Sequence, residues 1–418
     1  MKRSYYAIGL ILLTFFVISF LTNIIGPLVP DIIKSFDLSL TLVAFLPFAF
    51  FIAYAFMSIP SGILVEKIGE KKVMLLAFFM SFLGALFFAL LPNYFVYMVS
   101  LFFIGSGMAM LQVAINPLLR VAGGEEHFAF NSVIGQLFFG LASFLSPLVY
   151  SYLVLNLSEI EEPANALINL LSKIVPEDLP WISIYWLFSV TSLLMVIIIY
   201  FSTLPKVALK EDERVGAWKT HLQLLRNPMV VLYFLGIFAY VGTEQGVASW
   251  ISEFLLTYHD TDPQTQGAET VSLFWGLMTA GTVLGLILLK FVDSRKVLIG
   301  FASAGVICLS LALFSGNVDV VLIAFPLVGF FASVIWSVVI SLALNSVPSH
   351  HGSLSGILVT GIAGGAIIPL IVGWLGDIYG LRIGMIFLYL TFGYIISIGF
   401  WSKPLVNNKT ISLREKKN

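Results

Sequence analysis

The chain has 418 residues, of which 59% are hydrophobic and only 11% charged, and its mean hydropathy is +0.99. A soluble domain carries about 25% charged residues, so this composition excludes a soluble enzyme or nucleic-acid-binding module and marks a polytopic membrane protein. The single cysteine, Cys308, excludes a disulfide framework and a thiol metal site. The net charge of -1 says little, because in a membrane protein the distribution of charge matters more than its sum.

Apolar segments are predicted at about 5–30, 40–65, 73–91, 94–119, 128–155 and 181–203, then at about 229–256, 271–290, 297–315, 319–345, 354–375 and 382–402. Each has roughly the 20 residues that a bilayer crossing needs. The expected fold class is therefore all-α and integral to the membrane, with twelve transmembrane helices in two six-helix bundles. The N-terminal bundle would occupy 1–203 and the C-terminal bundle 229–402. A charged linker at 204–228 divides them, and a basic tail follows at 403–418. The start, Met1-Lys-Arg and then apolar residues, imitates a signal peptide. Its apolar run continues too far and no small-residue cleavage site follows, so it reads as the first membrane helix.

Basic residues set the orientation. With the N-terminus inside, all but Lys34, Lys173 and Arg382 of the 22 Lys and Arg fall on the inner side. Acidic residues such as Asp31, Glu159, Asp260, Asp262 and Asp319 collect outside. Both termini are then cytoplasmic. The connection at 156–180 holds Ala164–Val175, readable as a short amphipathic helix on the outer surface or as a loop of no special role.

The turn after the second helix reads Gly62-Ile-Leu-Val-Glu66-Lys67-Ile-Gly69-Glu-Lys71-Lys72. It resembles the signature of the major facilitator superfamily, with a tight turn at Gly69 and charges near helix ends, where the macrodipole favours particular signs. Gly285 and Asp293-Ser-Arg295-Lys296 form a degraded counterpart after the eighth helix. A third echo, Gly373 to Asp377, Gly380 and Arg382, precedes the last helix. Short membrane turns are often rich in Gly and Lys; equivalent positions in the two halves favour an internal repeat. These residues are expected to gate or brace without touching substrate.

The fourth helix carries Gln112 and Asn116, four apart and so on one face, with Pro117 breaking the ladder just beyond. Asn23 lies on the first helix, Asn131 and Gln136 on the fifth, and Trp336 and Asn345 on the tenth. Such amides staple helices for about 0.6 kcal/mol each, or they hydrogen-bond a ligand. Taken with Trp250, Trp275 and Trp336, they fit a neutral polyhydroxylated ligand, since amides bond hydroxyls in both senses and an aromatic face packs a sugar ring.

Glu244, in Tyr240-Val-Gly-Thr-Glu244-Gln245-Gly-Val-Ala-Ser-Trp250, falls near the bilayer midplane. An ionised carboxylate there costs at least about 2.5–3.5 kcal/mol and by default marks an ion pathway. The alternative is a structural, buried acid. Gly242 and Gly246 on the same helix predict close packing against a neighbour.

The pieces Ile115-Asn116-Pro117, Tyr240–Glu244, Trp250, Ser272-Leu-Phe-Trp275-Gly276 and Gly364-Gly-Ala-Ile-Ile-Pro369 resemble the fucose–galactose–glucose:proton symporter family, a sugar branch of the major facilitator superfamily. The resemblance implies a central site and alternating access. Two departures stand out. Family members resembling fucose permease carry an acid on the fourth helix, where this chain has Gln112, and another on the first, where it has about Gly26. Proton coupling would then rest on Glu244. The expected function is secondary active transport of a monosaccharide, by proton symport, in a bacterial inner membrane. Gln112, Asn116, Gln136, Gln245 and Asn345 would supply hydrogen bonds, with Asn23 beside them, and Trp250, Trp275 and Trp336 the stacking. The alternatives are an uncoupled sugar facilitator and an exporter of a drug or metabolite. Neither an enzyme nor a cofactor or metal is expected: His350-His351 is the one hint of a catalytic cluster, and adjacent histidines point apart on a helix. The expected partners are a sugar, the proton and the bilayer, with no nucleic acid, and the chain would work as a monomer.

Overall fold

The computed structural model describes residues 5–124, 128–158, 165–205, 218–347 and 351–405. Among these, twelve helices are long and apolar enough to cross a membrane. They are α1 (Tyr5–Phe36), α2 (Leu40–Ile68), α3 (Glu70–Leu90), α4 (Tyr94–Gly123), α5 (Asn131–Ser158) and α6 (Pro180–Phe201), followed by α7 (Pro228–Ala248), α8 (Pro263–Leu288), α9 (Ser294–Phe314), α10 (Val318–Leu344), α11 (Ser353–Tyr379) and α12 (Leu381–Trp401). The chain is all-α, in two six-helix bundles. Residues 206–217 of the charged linker 204–228, most of the basic tail, Glu159 and His350 lie outside the described residues.

Two faces follow from the turns. One carries Gly69, Gly124 and Asp293; the other carries Asp37, Asp260 and Gly380. They are called the Gly69 face and the Asp37 face below. Starts are capped where sequence chemistry allows: Asn93 accepts from Val96, and Asn227 from Met229. Gly69 and Gly380 turn the chain at φ of +83° and +91°, a region where a side chain is strained. The eighth span begins at Pro263, earlier than its hydropathy suggests, because Pro263–Gly267 forms a single π-helical turn. Among the described residues between the end of α5 at Ser158 and the start of α6 at Pro180, Ala166–Leu171 forms a short helix.

Five spans are interrupted: α11 by a 3₁₀ turn at Gly361–Ala363, α12 at Phe387, and three others near their middles. α1 breaks between Thr22 and Ile25, α7 between Ala248 and Ile251 (the chain continues helically to His259), and α10 between Ala332 and Ile335. Helices α1 and α7 open the two halves, so their breaks occupy corresponding places in the repeat. A break leaves backbone and side-chain polar groups without helical partners, which is tolerated at membrane depth only where protein or a cavity receives them.

The halves meet along two seams. On one, α5 packs on α8, and Ser272 Oγ donates to Phe144 O at 2.6 Å. On the other, α2 packs on α11; a Cβ added at Gly373 would lie 2.6 Å from Leu40 O, so that contact needs glycine. At the centre a Cβ on Gly26 of α1 would lie 2.3 Å from Ala248 O of α7. The predicted small-residue contact of α7 also forms: Gly242 meets Ile368 and Gly364 of α11, and Gly246 meets Leu388 of α12.

Candidate functional site

Glu244 lies on α7 one turn after Tyr240. Tyr240 OH donates to Glu244 Oε2 at 2.5 Å, and Gln245 Nε2 donates to Oε1 at 3.1 Å. The Tyr240 ring in turn lies 6.2 Å, centroid to centroid, from that of Trp336 on α10. The carboxylate therefore has two neutral donors, and among the described residues no Lys or Arg is paired with it.

Gln245 is buried and reaches the junction of the halves. There a cavity of about 10 Å³ is lined by Thr22, Asn23 and Gly26 of α1, by Gln245, Ala248 and Ser249 of α7, and by Val271 and Trp275 of α8. That volume holds about one water-sized group, far less than a sugar ring. The buried Trp275 N–H that lines it finds no protein acceptor.

On the N-terminal side the polar groups are tied to one another. Asn23 Nδ2 donates to Ser143 Oγ at 2.8 Å and Ser19 Oγ at 3.4 Å. Gln112 Nε2 donates to Tyr54 OH at 3.4 Å, and the Tyr54 hydroxyl faces the side chain of Thr22, whose own Oγ1 donates to Ile18 O at 2.7 Å. A polar path thus runs from Gln112 through Tyr54 and Thr22 to the cavity, and on through Gln245 to Glu244 and Tyr240. The path crosses the halves at the two helix breaks.

Six of the residues singled out in the sequence therefore come together: Asn23, Gln112, Glu244, Gln245, Trp275 and Trp336. Asn116 stands one turn from Gln112, exposed, with its amide bonded to Gln112 O at 3.1 Å. Gln136 is exposed on α5. Two residues sit apart. Trp250 is 1% exposed, with its ring against Gly373 of α11, where it braces its own half. Asn345 lies at the far end of α10, bonded to Ser341 Oγ at 3.4 Å, and its carbonyl accepts from Leu405 N. The sequence reading did not single out Tyr54 or Thr22, and passed over Tyr240 as a donor to Glu244. For Tyr240 the i, i+4 spacing was the available signal.

The turn motifs act on helix ends. In the first copy, Gly62 is buried, Gly69 turns the chain, and Glu66, Lys67 and Lys72 are exposed. Lys71 Nζ donates to Tyr200 O at 2.9 Å and Ser202 O at 2.7 Å, capping the C-terminus of α6. In the second copy, Asp293 caps α9 through Arg295 N and pairs with the Arg295 side chain at 3.2 Å. Arg295 Nη1 reaches Ser402 O at 3.4 Å, just past the end of α12. The two halves thus use a basic residue in the same way, on the last helix of each.

The model of the Major Facilitator Superfamily matches residues 11–369, and the chain belongs to that superfamily. Within it the chain falls in the fucose–galactose–glucose:proton symporter branch. The glucose/galactose transporter of Brucella abortus biovar 1 (strain 9-941) is 29% identical over 95% of this chain and 94% of that protein. The L-fucose-proton symporter of Escherichia coli (strain K12) is 26% identical over 91% of this chain and 89% of its own length. The crystal structure of the E. coli fucose:proton symporter superposes with a TM-score of 0.68 at 22% identity, covering 96% of this chain and all of that one. The inward-facing structure of a bacterial homologue of the lysosomal transporter Spinster gives 0.77 at 15% identity, over 94% and 96%. The fold is that of a multi-pass membrane transporter, and the family is not one of enzymes.

Proposed function

We propose that this protein is a monosaccharide:proton symporter of a bacterial inner membrane, carrying a fucose-, glucose- or galactose-like sugar. The Gly69 face, with most of the Lys and Arg, is cytoplasmic, and the Asp37 face is outer. The halves 1–203 and 229–402 rock about the central junction, joined by the linker 204–228, with the tail 403–418 in the cytoplasm. A single chain completes the site, so a monomer suffices.

The observation that carries this reading is Glu244 itself. It is a membrane-embedded carboxylate held by neutral donors, at one end of a polar path that reaches the other half. A permanent cation beside it would fix its charge; Tyr240 and Gln245 leave it free to take up and release a proton. Protonation removes the charge whose burial opposes closure. Sugar hydroxyls entering between the halves replace the cavity's contacts, meeting the Trp275 N–H and the amides of Asn23, Gln112 and Gln245. The aromatic faces of Trp275 and Trp336 pack the apolar side of the ring. Asn116 and Gln136 offer further amides, while Asn345 and Trp250 hold the scaffold. The relatives' names, glucose/galactose transporter and L-fucose-proton symporter, agree with this chemistry.

Uptake into proteoliposomes tests it. Wild-type protein is expected to accumulate sugar when the inside is alkaline. Glu244→Gln should lose accumulation while still exchanging labelled for unlabelled sugar. Full accumulation by Glu244→Gln, or a steady state that ignores an imposed pH gradient, would leave an uncoupled facilitator as the reading.

A further inference from the structure

The third copy of the turn motif does something the first two do not. It lies on the Asp37 face at the end of α11, and its acid points into the other half. Asp377 Oδ1 accepts from Leu40 N at 2.8 Å, and Oδ2 accepts from Thr41 N at 2.9 Å and Thr41 Oγ1 at 2.5 Å. These donors form the N-terminus of α2. The first N–H groups of a helix have no partner within it and must find one elsewhere. Ser39 Oγ accepts from Leu42 N at 3.3 Å, and Val43 N already bonds Ser39 O within the helix. Of the three N–H groups that remain, two are satisfied by a carboxylate from the opposite bundle.

The backbone enforces this placement. The α2 start sits against Gly373 and Gly376, where an added Cβ would lie 2.6 Å from Leu40 O and 2.9 Å from Leu40 Cδ1. Among the described residues no Lys or Arg is paired with Asp377, so its charge is met by the helix end alone. A carboxylate on a helix N-terminus is favoured both by hydrogen bonds and by the helix dipole. The contact exists only while the outer ends of the halves touch. Separation would strip two backbone donors of their acceptor and leave the carboxylate, already exposed, without its donors.

We propose that Asp377 is the latch of the outer gate: a removable N-cap that one half lends to the other, holding the outer side shut until the halves rock apart. Within the half, Lys71 and Arg295 cap fixed partners; across the halves, Asp377 caps a moving one. The inference rests on the proposed orientation and on rocking of the bundles, and not on which solute is carried.

Its test needs no substrate. The one native cysteine, Cys308, is buried, so a reporter Ala44→Cys on α2, facing Gly373 across the seam, is labelled with a membrane-impermeant maleimide from the outer side. Asp377→Asn, which keeps one acceptor and the side-chain size, should raise the labelling rate about tenfold. Thr41→Val, which removes only the hydroxyl bond, should raise it about threefold. Thr41→Val also keeps the proposal open to refutation if Asp377→Asn fails to fold. Unchanged labelling in the folded variants would overturn the latch, whatever the transport assay says about Glu244. Faster labelling with an unaltered gel-filtration profile would support it.

Discussion

The two halves bring unequal chemistry to their junction. On the N-terminal side the polar groups nearest the cavity are neutral and already held within their own bundle: Asn23 by Ser143 and Ser19, and Gln112 by Tyr54. The Asp31 carboxylate of that half stands toward the Asp37 face, with Tyr150 and Gln264 as its donors. On the C-terminal side stands a carboxylate, Glu244, with two donors and no cation paired with it among the described residues. The difference teaches a division of labour. Neutral amides that are already oriented suit the reading of hydroxyls, because little side-chain freedom is lost on binding. A group that changes charge suits coupling, because its burial cost changes with its proton. By the family resemblance, the acids of the first and fourth helices fall at about Gly26 and at Gln112 in this chain, and in the proposed mechanism the titratable role passes to Glu244 on the seventh.

Removing the carboxylate breaks the comparison outright, so Glu244→Gln carries the largest expected effect: complete loss of concentrative uptake, with exchange retained. The contact at Gly26 comes next. A methyl there would meet Ala248 O at 2.3 Å, and overpacking of this kind costs about 1–3 kcal/mol. Gly26→Ala should therefore disfavour the closed junction and lower maximal transport roughly 10- to 100-fold, with a smaller change in KM. An unchanged rate would show that the junction never closes this tightly during transport. The same contact explains why an acid at this position is incompatible with the observed closure.

The amides sharpen the comparison more gently. Gln112→Ala and Asn23→Ala each remove one candidate sugar contact and should raise KM about tenfold, the effect of losing about one to two hydrogen bonds. Maximal rate should stay within about twofold. Stability should hold too, since Ser19 and Ser143 remain bonded to each other at 2.5 Å when Asn23 is cut back. If both variants instead lowered the rate at constant KM, the N-terminal amides would be acting on the conformational change and the division would fail.

Much of this organisation was legible in the chain. Twelve spans follow from hydropathy because each must match one bilayer thickness, and the boundaries moved mainly where Pro263–Gly267 carries polar side chains into a helical turn. Glu244 was legible because a carboxylate in an apolar run is costly. The path joining it to Gln112 was not, because Tyr54 and Thr22 are residue types common in membrane helices and only their convergence gives them meaning. The break at Asn23 is announced by Gly26-Pro27, since Pro27 cannot bond the Asn23 carbonyl; those at Ser249 and Ser333 have no Pro or Gly within them. Trp250 and Asn345 show the limit of composition: an aromatic or an amide in a span can serve packing, and depth along the helix decides which.

The smallest expected effect concerns Asp293, where the halves resemble each other most. Burial alone would raise its carboxyl, but the side-chain and backbone N–H groups of Arg295 outweigh this and hold it below the usual carboxylate range. A folded-state value below the unfolded one means that the stabilisation is present above the unfolded value, near pH 4, and fades as pH falls through the folded value. Asp293→Asn keeps the cap on Arg295 N, since Asn caps helices as well as Asp, and removes only the charge. The pair is well exposed, so its worth is at most about 1 kcal/mol. Melting of the purified protein at pH 7 should drop by no more than about 2–4 °C, and the gap between variant and wild type should close on acidification. No gap at pH 7 would mean that Asp293 acts through its cap alone, and that the C-terminal half does not need the charge to hold Arg295 against the end of α12.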